Sequence, residues 1–313
     1  MQMWALIVDS LRHTLDRKIF WVMLAISVVI AAAMACIGFD ETGVTVFFKW
    51  HFDDPAFQVG TAAQRSFATE ILVYWLTDKY LGFVGVLVAL VSTASIFPSV
   101  MESGTVDVVL AKPLSRTKLF VGKYFGCMTF VLLQSAVFVG LTFLVAGWRW
   151  KQWLWAYFWA VPLFVILFSY IYACCVFFAV WMRGSLGPLL LSLGCWVLFF
   201  GVQSTNSVVH VLPMVPQDSA LVKVTSAARW AVPRTQDIPH IAARLIDPEI
   251  ADKMLDRVSF DNMPAKDQED MGRVMEGTKT VMSFDMAASL ASSLGIEAII
   301  LILALGRFVR RDF

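Results

Sequence analysis

An all-α fold set in a membrane is what the sequence predicts, and three observations carry the prediction. Of the 313 residues, 58% are hydrophobic and only 16% charged, whereas soluble domains run about 45–50% apolar and about 25% charged. The apolar residues gather into six runs, each close to or longer than the roughly 20 residues a helix needs to cross a bilayer. Lys and Arg collect in the segments that fall on one side of those runs. A water-soluble fold of this length could not hide so much apolar surface, because interior volume grows too slowly with chain length. The formal net charge of +1 gives no electrostatic case for a nucleic-acid partner.

Ahead of the first run, Met3–Lys18 places Trp4, Ile7, Val8, Leu11 and Leu15 at three- and four-residue spacing, with Asp9, Arg12, Asp16 and Arg17 on other faces. That periodicity predicts an amphipathic helix lying in the membrane surface over 1–18. The six expected spans are Ile19–Phe39, Tyr80–Met101, Tyr124–Gly147, Gln152–Met182, a run from Gly184 fading near Val211, and Met286–Gly306. Ala33-Met34-Ala35-Cys36 resembles a signal-peptide cleavage site. The apolar core before it exceeds the usual length of about 7–15 residues, so an uncleaved anchor is expected. The layout is then the surface helix at 1–18, spans one to five over 19–211, an insert at 212–285, and the sixth span with a basic tail at 286–313.

Arg12, Arg17 and Lys18 precede span one; Lys112, Arg116, Lys118 and Lys123 accompany the loop after span two; Arg183 follows span four; and Arg307, Arg310 and Arg311 end the chain. With six spans all four groups share one side, which places both termini in the cytoplasm. Arg149 and Lys151 dissent from the opposite side. The segment Asp40–Lys79 there contains Ala63–Leu76, which reads as a short surface helix. Trp148, Trp150, Trp153, Trp155 and Trp159 read as an aromatic belt at headgroup level. In the insert, Gln217, Asp218 or Ser219 can cap a helix running through Ala228. Asp237–Ile246, Pro248–Val258 and Met263–Glu276 read as further short helices, the latter two with an early proline. Together they make a small helical cap outside the membrane, with a protein partner as one thing it can meet.

Cys36, Cys127, Cys174, Cys175 and Cys195 all lie in apolar runs and read as small buried hydrophobes rather than a disulfide framework. His13, His51, His210 and His240 show no metal-ligand spacing, so no metal site is expected. Nucleophile elbows and paired intramembrane carboxylates are missing as well, so hydrolase chemistry lacks its parts.

The informative stretch is Glu102-Ser103-Gly104-Thr105-Val106-Asp107-Val108-Val109-Leu110-Ala111-Lys112-Pro113-Leu114-Ser115-Arg116. Ser103 or Thr105 can cap a short helix, Asp107 favours its first turn, and Val106, Val109 and Leu110 share a face. Pro113 stops the helix for want of an N–H, and Ser115 can cap the next, which becomes span three. A short stiff helix broken on both sides is a piece that a partner can push.

The pattern Glu-x-Gly-Thr-x-x-x-x-Leu-x-x-Pro-x-Ser-Arg, with Gly122-Lys123 following, resembles the loop of type 2 ABC exporter permeases, a broad family that includes the nitrous-oxide-reductase maturation permease group. The tail Phe308-Val309-Arg310-Arg311-Asp312-Phe313, the amphipathic N-terminus and the six spans are similar too. The resemblance implies that 102–116 is a coupling helix seated in a separate ATPase, with Glu102, Gly104, Thr105, Val106, Leu110, Pro113, Ser115 and Arg116 as the contact set. It implies two ATPase subunits that hold ATP and Mg²⁺, a second permease chain (the same or a relative), and a bacterial inner membrane. This chain has no G-x-x-x-x-G-K-[ST] loop of its own and is expected to be a non-catalytic subunit.

Glu297 stands mid-span, where a carboxylate costs a few kcal/mol, about 2.5–3.5 on insertion scales, and should face protein or water. It reads as a candidate pathway residue or as a partner for Ser or Thr of a neighbouring span. Gln134 is a second pathway candidate. Gln203-Ser204-Thr205-Asn206-Ser207 reads as interhelical glue. Two functions compete: a permease that exports a substrate, and a scaffold that passes ATPase-driven motion to an extracytoplasmic partner. A polar cavity at Glu297 favours the first; a closed apolar seam favours the second. A secondary transporter is weaker, since spans one to three and four to six show no repeat.

Overall fold

The computed structural model describes residues 18–100, 115–182, 184–212, 219–248 and 285–310. The surface helix before Lys18, the loop from Glu102 to Pro113, the helices expected beyond Pro248 in the insert, and Arg311–Phe313 lie outside the described residues. Eight helices and one small sheet make up the rest. They are α1 (Lys18–Ala35), strands β1 (Ile37–Phe39), β2 (Gly43–Val46) and β3 (Trp50–Asp53), α2 (Ala62–Pro98), α3 (Arg116–Arg149) and α4 (Ala160–Trp181), preceded by a 3₁₀ turn at Trp155–Trp159. Then come α5 (Leu186–Val211), α6 (Ala220–Trp230), α7 (Asp237–Ile246) and α8 (Met286–Arg310). The fold is all-α as expected, with the sheet as a local addition. Among the described residues, five helices are long and apolar enough to cross a membrane: α2, α3, the 155–181 unit, α5 and α8; the apolar part of α1, Phe20–Ala35, is shorter.

Helix α4 is the centre of the bundle. Of its most apolar window 78% is buried, against 17% for α5 and 22% for α8. It packs against α2, α3, α5 and α8, while α1 lies on α3. The outer faces of α5 and α8 expose Leu190, Val197, Leu198, Ile299 and Ile302, which lipid can solvate at no cost in apolar surface.

Two boundaries differ from the sequence reading. The first apolar run does not stay helical to Phe39. After Ala35 the chain turns into a three-stranded antiparallel meander, with Phe39 opposite Val44 and Val44 opposite Phe52. Gly38 permits this, because the Arg149 guanidinium stands where a β-carbon would. The second helix starts at Ala62, not near Tyr80. Ala63–Leu76 is thus not a separate surface helix, and its Leu72 and Leu76 are buried. Thr61 caps the start by accepting from the Gln64 N–H. Ile71–Gly85 is wound as a π-helix, with the Thr77 hydroxyl donating to the Leu72 carbonyl at 2.8 Å.

The turn after α3 ties this end together. Arg149 Nε donates to the Ala35 carbonyl at 2.9 Å, and Trp150 Nε1 donates to the Ile37 carbonyl at 2.9 Å. Gln64 Nε2 donates to the Trp150 carbonyl, and Gln152 Nε2 donates to Gln64 Oε1 at 3.0 Å. Trp150 therefore is not an interface residue as the belt reading had it. It is 1% exposed and packs its ring against Phe39 and Phe67. The belt's other four tryptophans, 148, 153, 155 and 159, are exposed. All five cysteines are free thiols; Cys127, Cys174 and Cys175 are buried, and Cys36 and Cys195 half-buried.

The described part of the insert is bound into the bundle. Ser219 caps α6, which runs along α5, while Ile238, Ile241, Ala242 and Ile246 bury one face of α7 against α2 and α4. Between them sits a buried polar clasp. Asp237 accepts from Arg229 Nη2 at 2.5 Å and from the Ser289 hydroxyl of α8 at 2.6 Å, with Arg234 Nη1 3.7 Å away. The Arg234 N–H donates to the Ser293 hydroxyl at 3.0 Å. From α5, Gln203 Nε2 donates to the Pro233 carbonyl at 3.0 Å, and its Oε1 accepts from the Gln236 N–H at 2.9 Å. Gln203, Ser204 and Asn206 thus bind α5 to the insert rather than to another span as the sequence reading had it. Burial holds the Arg234 guanidinium below its ordinary value, with Asp237 opposing that shift. Its Cζ lies 3.2 Å from the Trp230 ring centre.

Removing the carboxylate leaves two arginines without their shared anion. Asp237→Ala is expected to lower stability by about 3–5 kcal/mol, the range for orphaning a buried charge. Ser219→Ala should cost only about 1 kcal/mol for the lost cap. Thermal unfolding of the two variants in detergent checks the difference; equal midpoints would contradict the clasp.

Candidate functional site: a buried carboxylate beside an intramembrane groove

The buried residues of α8 are Ser289, Ser293, Glu297, Ala304 and Phe308. Spacings of four and seven put them on one stripe. Two serines at the top of that stripe belong to the clasp. Glu297, one turn further, meets α3 and α4 instead. Tyr124 of α3 donates its hydroxyl to Glu297 Oε1 at 2.6 Å, and Ser169 of α4 donates to Oε2 at 3.0 Å. The carboxylate is 7% exposed. Each oxygen has a donor, which offsets the cost of burying the carboxylate at this depth.

The sequence posed a choice between a pathway residue and a residue paired with a neighbouring span. Pairing is present, and so is a cavity. Beside Glu297 lies a groove of about 370 Å³ between α3, α4 and α8, with Tyr124, Ser169 and Glu297 supplying its polar wall and Phe125, Met128, Val165, Ile166, Leu294, Ala298 and Leu301 the rest. A second hollow of about 160 Å³ continues it along the α3–α8 seam, sharing Tyr124, Phe125 and Leu301 and reaching Phe120 and Leu305. A groove with apolar walls and one acceptor-rich point can orient an elongated apolar molecule carrying a donor or a positive charge.

Gln134 is not part of this site. It lies ten residues along α3 from Tyr124, about 15 Å at helical rise. Its side chain is buried, and its Oε1 has no hydrogen-bond partner among the described residues.

From the groove an unbroken set of rings leads to the start of α3. Tyr124 stacks on Tyr172 at 5.7 Å; Tyr172 meets Phe97 at 6.4 Å; Phe97 meets Phe120 at 5.1 Å; and Phe120 meets Phe308 at 5.5 Å. Ser115 caps α3 there, accepting from the Lys118 N–H at 3.3 Å, as the sequence predicts. Arg116 Nη1 donates to the Val309 carbonyl at 3.0 Å, so the loop's last residues meet the C-terminal turn of α8. Of the eight loop residues singled out by sequence, Ser115 and Arg116 fall in the described region and the other six do not. Sequence reasoning missed Tyr124, Asp237, Arg229 and Arg234. A readable trace of the shared stripe lay in the four-residue spacing of Ser289, Ser293 and Glu297.

Glu297→Gln keeps the shape and one acceptor for Tyr124, whereas Glu297→Ala strands the Tyr124 hydroxyl and leaves Ser169 its Ile166 carbonyl at 2.8 Å. We expect the Ala variant to lose about 1–3 kcal/mol, the range for an unsatisfied buried polar group, and Gln to lose less. Unfolding midpoints in the same detergent test this; an Ala variant as stable as the Gln variant would contradict it. Among the described residues no cluster of His, Cys, Asp or Glu has metal-binding geometry.

No curated protein matches the chain. The family described as ABC-2 family transporter protein matches residues 4–313, nearly the whole sequence. The chain belongs to the ABC-2 transporter family and is a membrane permease subunit of an ABC transporter.

Proposed function

We propose that this permease exports its substrate, using ATP hydrolysis by a separate ABC ATPase that presses on the loop helix 102–116. The observation that carries the reading is the ring series joining the start of α3 to the groove at Glu297. Rigid-body displacement of one helix bundle against another is an established switching mode. In this reading Glu102, Gly104, Thr105, Val106, Leu110 and Pro113 engage the ATPase, and Ser115 and Arg116 hold the loop to α3 and the end of α8. Two ATPase subunits, which bind ATP and Mg²⁺, work with two permease chains, identical or related. Both termini face the cytoplasm of a bacterial inner membrane, and the insert at 212–285 faces the other side. Glu297 and, more remotely, Gln134 are the polar points along the route. The groove favours this reading over a scaffold that only transmits force to an outside partner.

The test is co-purification with the ATPase and stimulation of its hydrolysis. Glu102→Ala and Leu110→Ala should weaken both; Glu297→Gln should leave assembly intact. A thiol placed by Val106→Cys should react with an impermeant maleimide only when the inner membrane face is open. Unchanged assembly and stimulation in both loop variants, or labelling from the outside, would sink the proposal.

A further inference from the structure

The β2–β3 hairpin carries features that the transport reading does not use. Phe47, Phe48, Trp50 and Phe52 are all more than half exposed. The hairpin is two-faced. Val46 and Val44 stand opposite Trp50 and Phe52 on one face. Thr45 and His51 share the other, where His51 meets Asp53 at 2.9 Å and Asp40 at 3.4 Å. At the tip, Phe47 and Phe48 have φ of 52° and 61°, and the Lys49 N–H closes the turn on the Val46 carbonyl at 3.3 Å. Two consecutive left-handed residues suit Asn-Gly. Bulky aromatics there are strained, and in water they would gain nothing in return.

We infer that this hairpin is a membrane anchor, its aromatic face and tip seated at the headgroup–acyl boundary of the leaflet at this end of the bundle. Depth is set by α3, a membrane-crossing helix whose last turn touches the tip: the Phe48 and Trp148 rings lie 6.3 Å apart. One turn inward, Leu144 is exposed on the same helix, as lipid contact requires. Arg149 lies 4.2 Å from the Phe48 ring centre. Exposed Lys49 and Lys151 bring positive charge to the rim, which matches lipid phosphate, while Arg149 holds the Phe48 ring from inside the protein. Exposed aromatics beside basic groups are the composition of an interfacial anchor, and a contiguous apolar patch of this kind needs an occupant. The His51–Asp53 face stays in water. The inference does not depend on the direction of transport.

Nitroxide labels placed one at a time at 47, 48, 50 and 52, in the full chain reconstituted into phosphatidylcholine vesicles, read the depth directly. Collisions with oxygen should exceed those with a nickel chelate at these four positions, and the ratio should invert at 41 and 53. Chelate-dominated collisions at all six would overturn the inference. So would low collision rates with both agents at the four, because that marks cover by protein. Where removal of the native cysteines upsets folding, Trp50→Phe in the otherwise natural chain gives a second reading. It should delete a part of the tryptophan emission that lipids brominated near the headgroup quench. Loss of an iodide-quenched part alone would overturn it.

Discussion

Hydrocarbon offers no hydrogen bonds, so each polar group at membrane depth must find its partner inside the protein. This constraint arranges most of what is specific about the molecule. Glu297 can stand in the bundle because Tyr124 and Ser169 arrive from two other helices with a donor for each oxygen. The apolar walls around them set no register, since leucine packs against lipid as readily as against leucine. The carboxylate and its two hydroxyls do set one: sliding α8 by a turn would strand Glu297 and the Tyr124 hydroxyl.

The same helix face meets a second polar set higher up. Ser289 and Ser293 join the insert through Asp237 and the Arg234 backbone. The insert is therefore linked, by one helix stripe, to the groove. Buried ion pairs are poor sources of stability compared with apolar packing, and their best-attested use is to select one arrangement over others. The clasp fits that use, because α6 and α7 are short and would otherwise have several ways to lie on the bundle.

Much of this was legible in the sequence. Apolar run length placed the helices, and the Asp237–Ile246 helix and the Ser115 cap stand where local chemistry puts them. Two boundaries failed because hydropathy measures solubility in lipid, not continuity of a helix. Ile37–Phe39 is apolar enough for a span, yet it pairs as a strand. Ala62–Lys79 is too polar for one, yet it is helical. What decided both were contacts across long sequence separations, such as Trp150 with Ile37 and Gln64 with Trp150, to which no local pattern points. The site shows the same division. A lone mid-span carboxylate announces itself, and the four-residue spacing of Ser289, Ser293 and Glu297 was there to read. Tyr124 was hidden as one aromatic ring among many, and Asp237 as one acid in a charged insert.

Helix α3 is 34 residues long, about 51 Å at 1.5 Å per residue, while the hydrocarbon layer is about 30 Å thick. Its Trp150 end is pinned by hydrogen bonds to α1, the sheet and α2, and at its Ser115 end Arg116 bonds to the end of α8. A long rod held at one end behaves as a lever: a tilt of about 10° about the pinned end would sweep the other end through about 9 Å. Small angular changes about Trp150 thus become displacements larger than a helix turn where the loop begins.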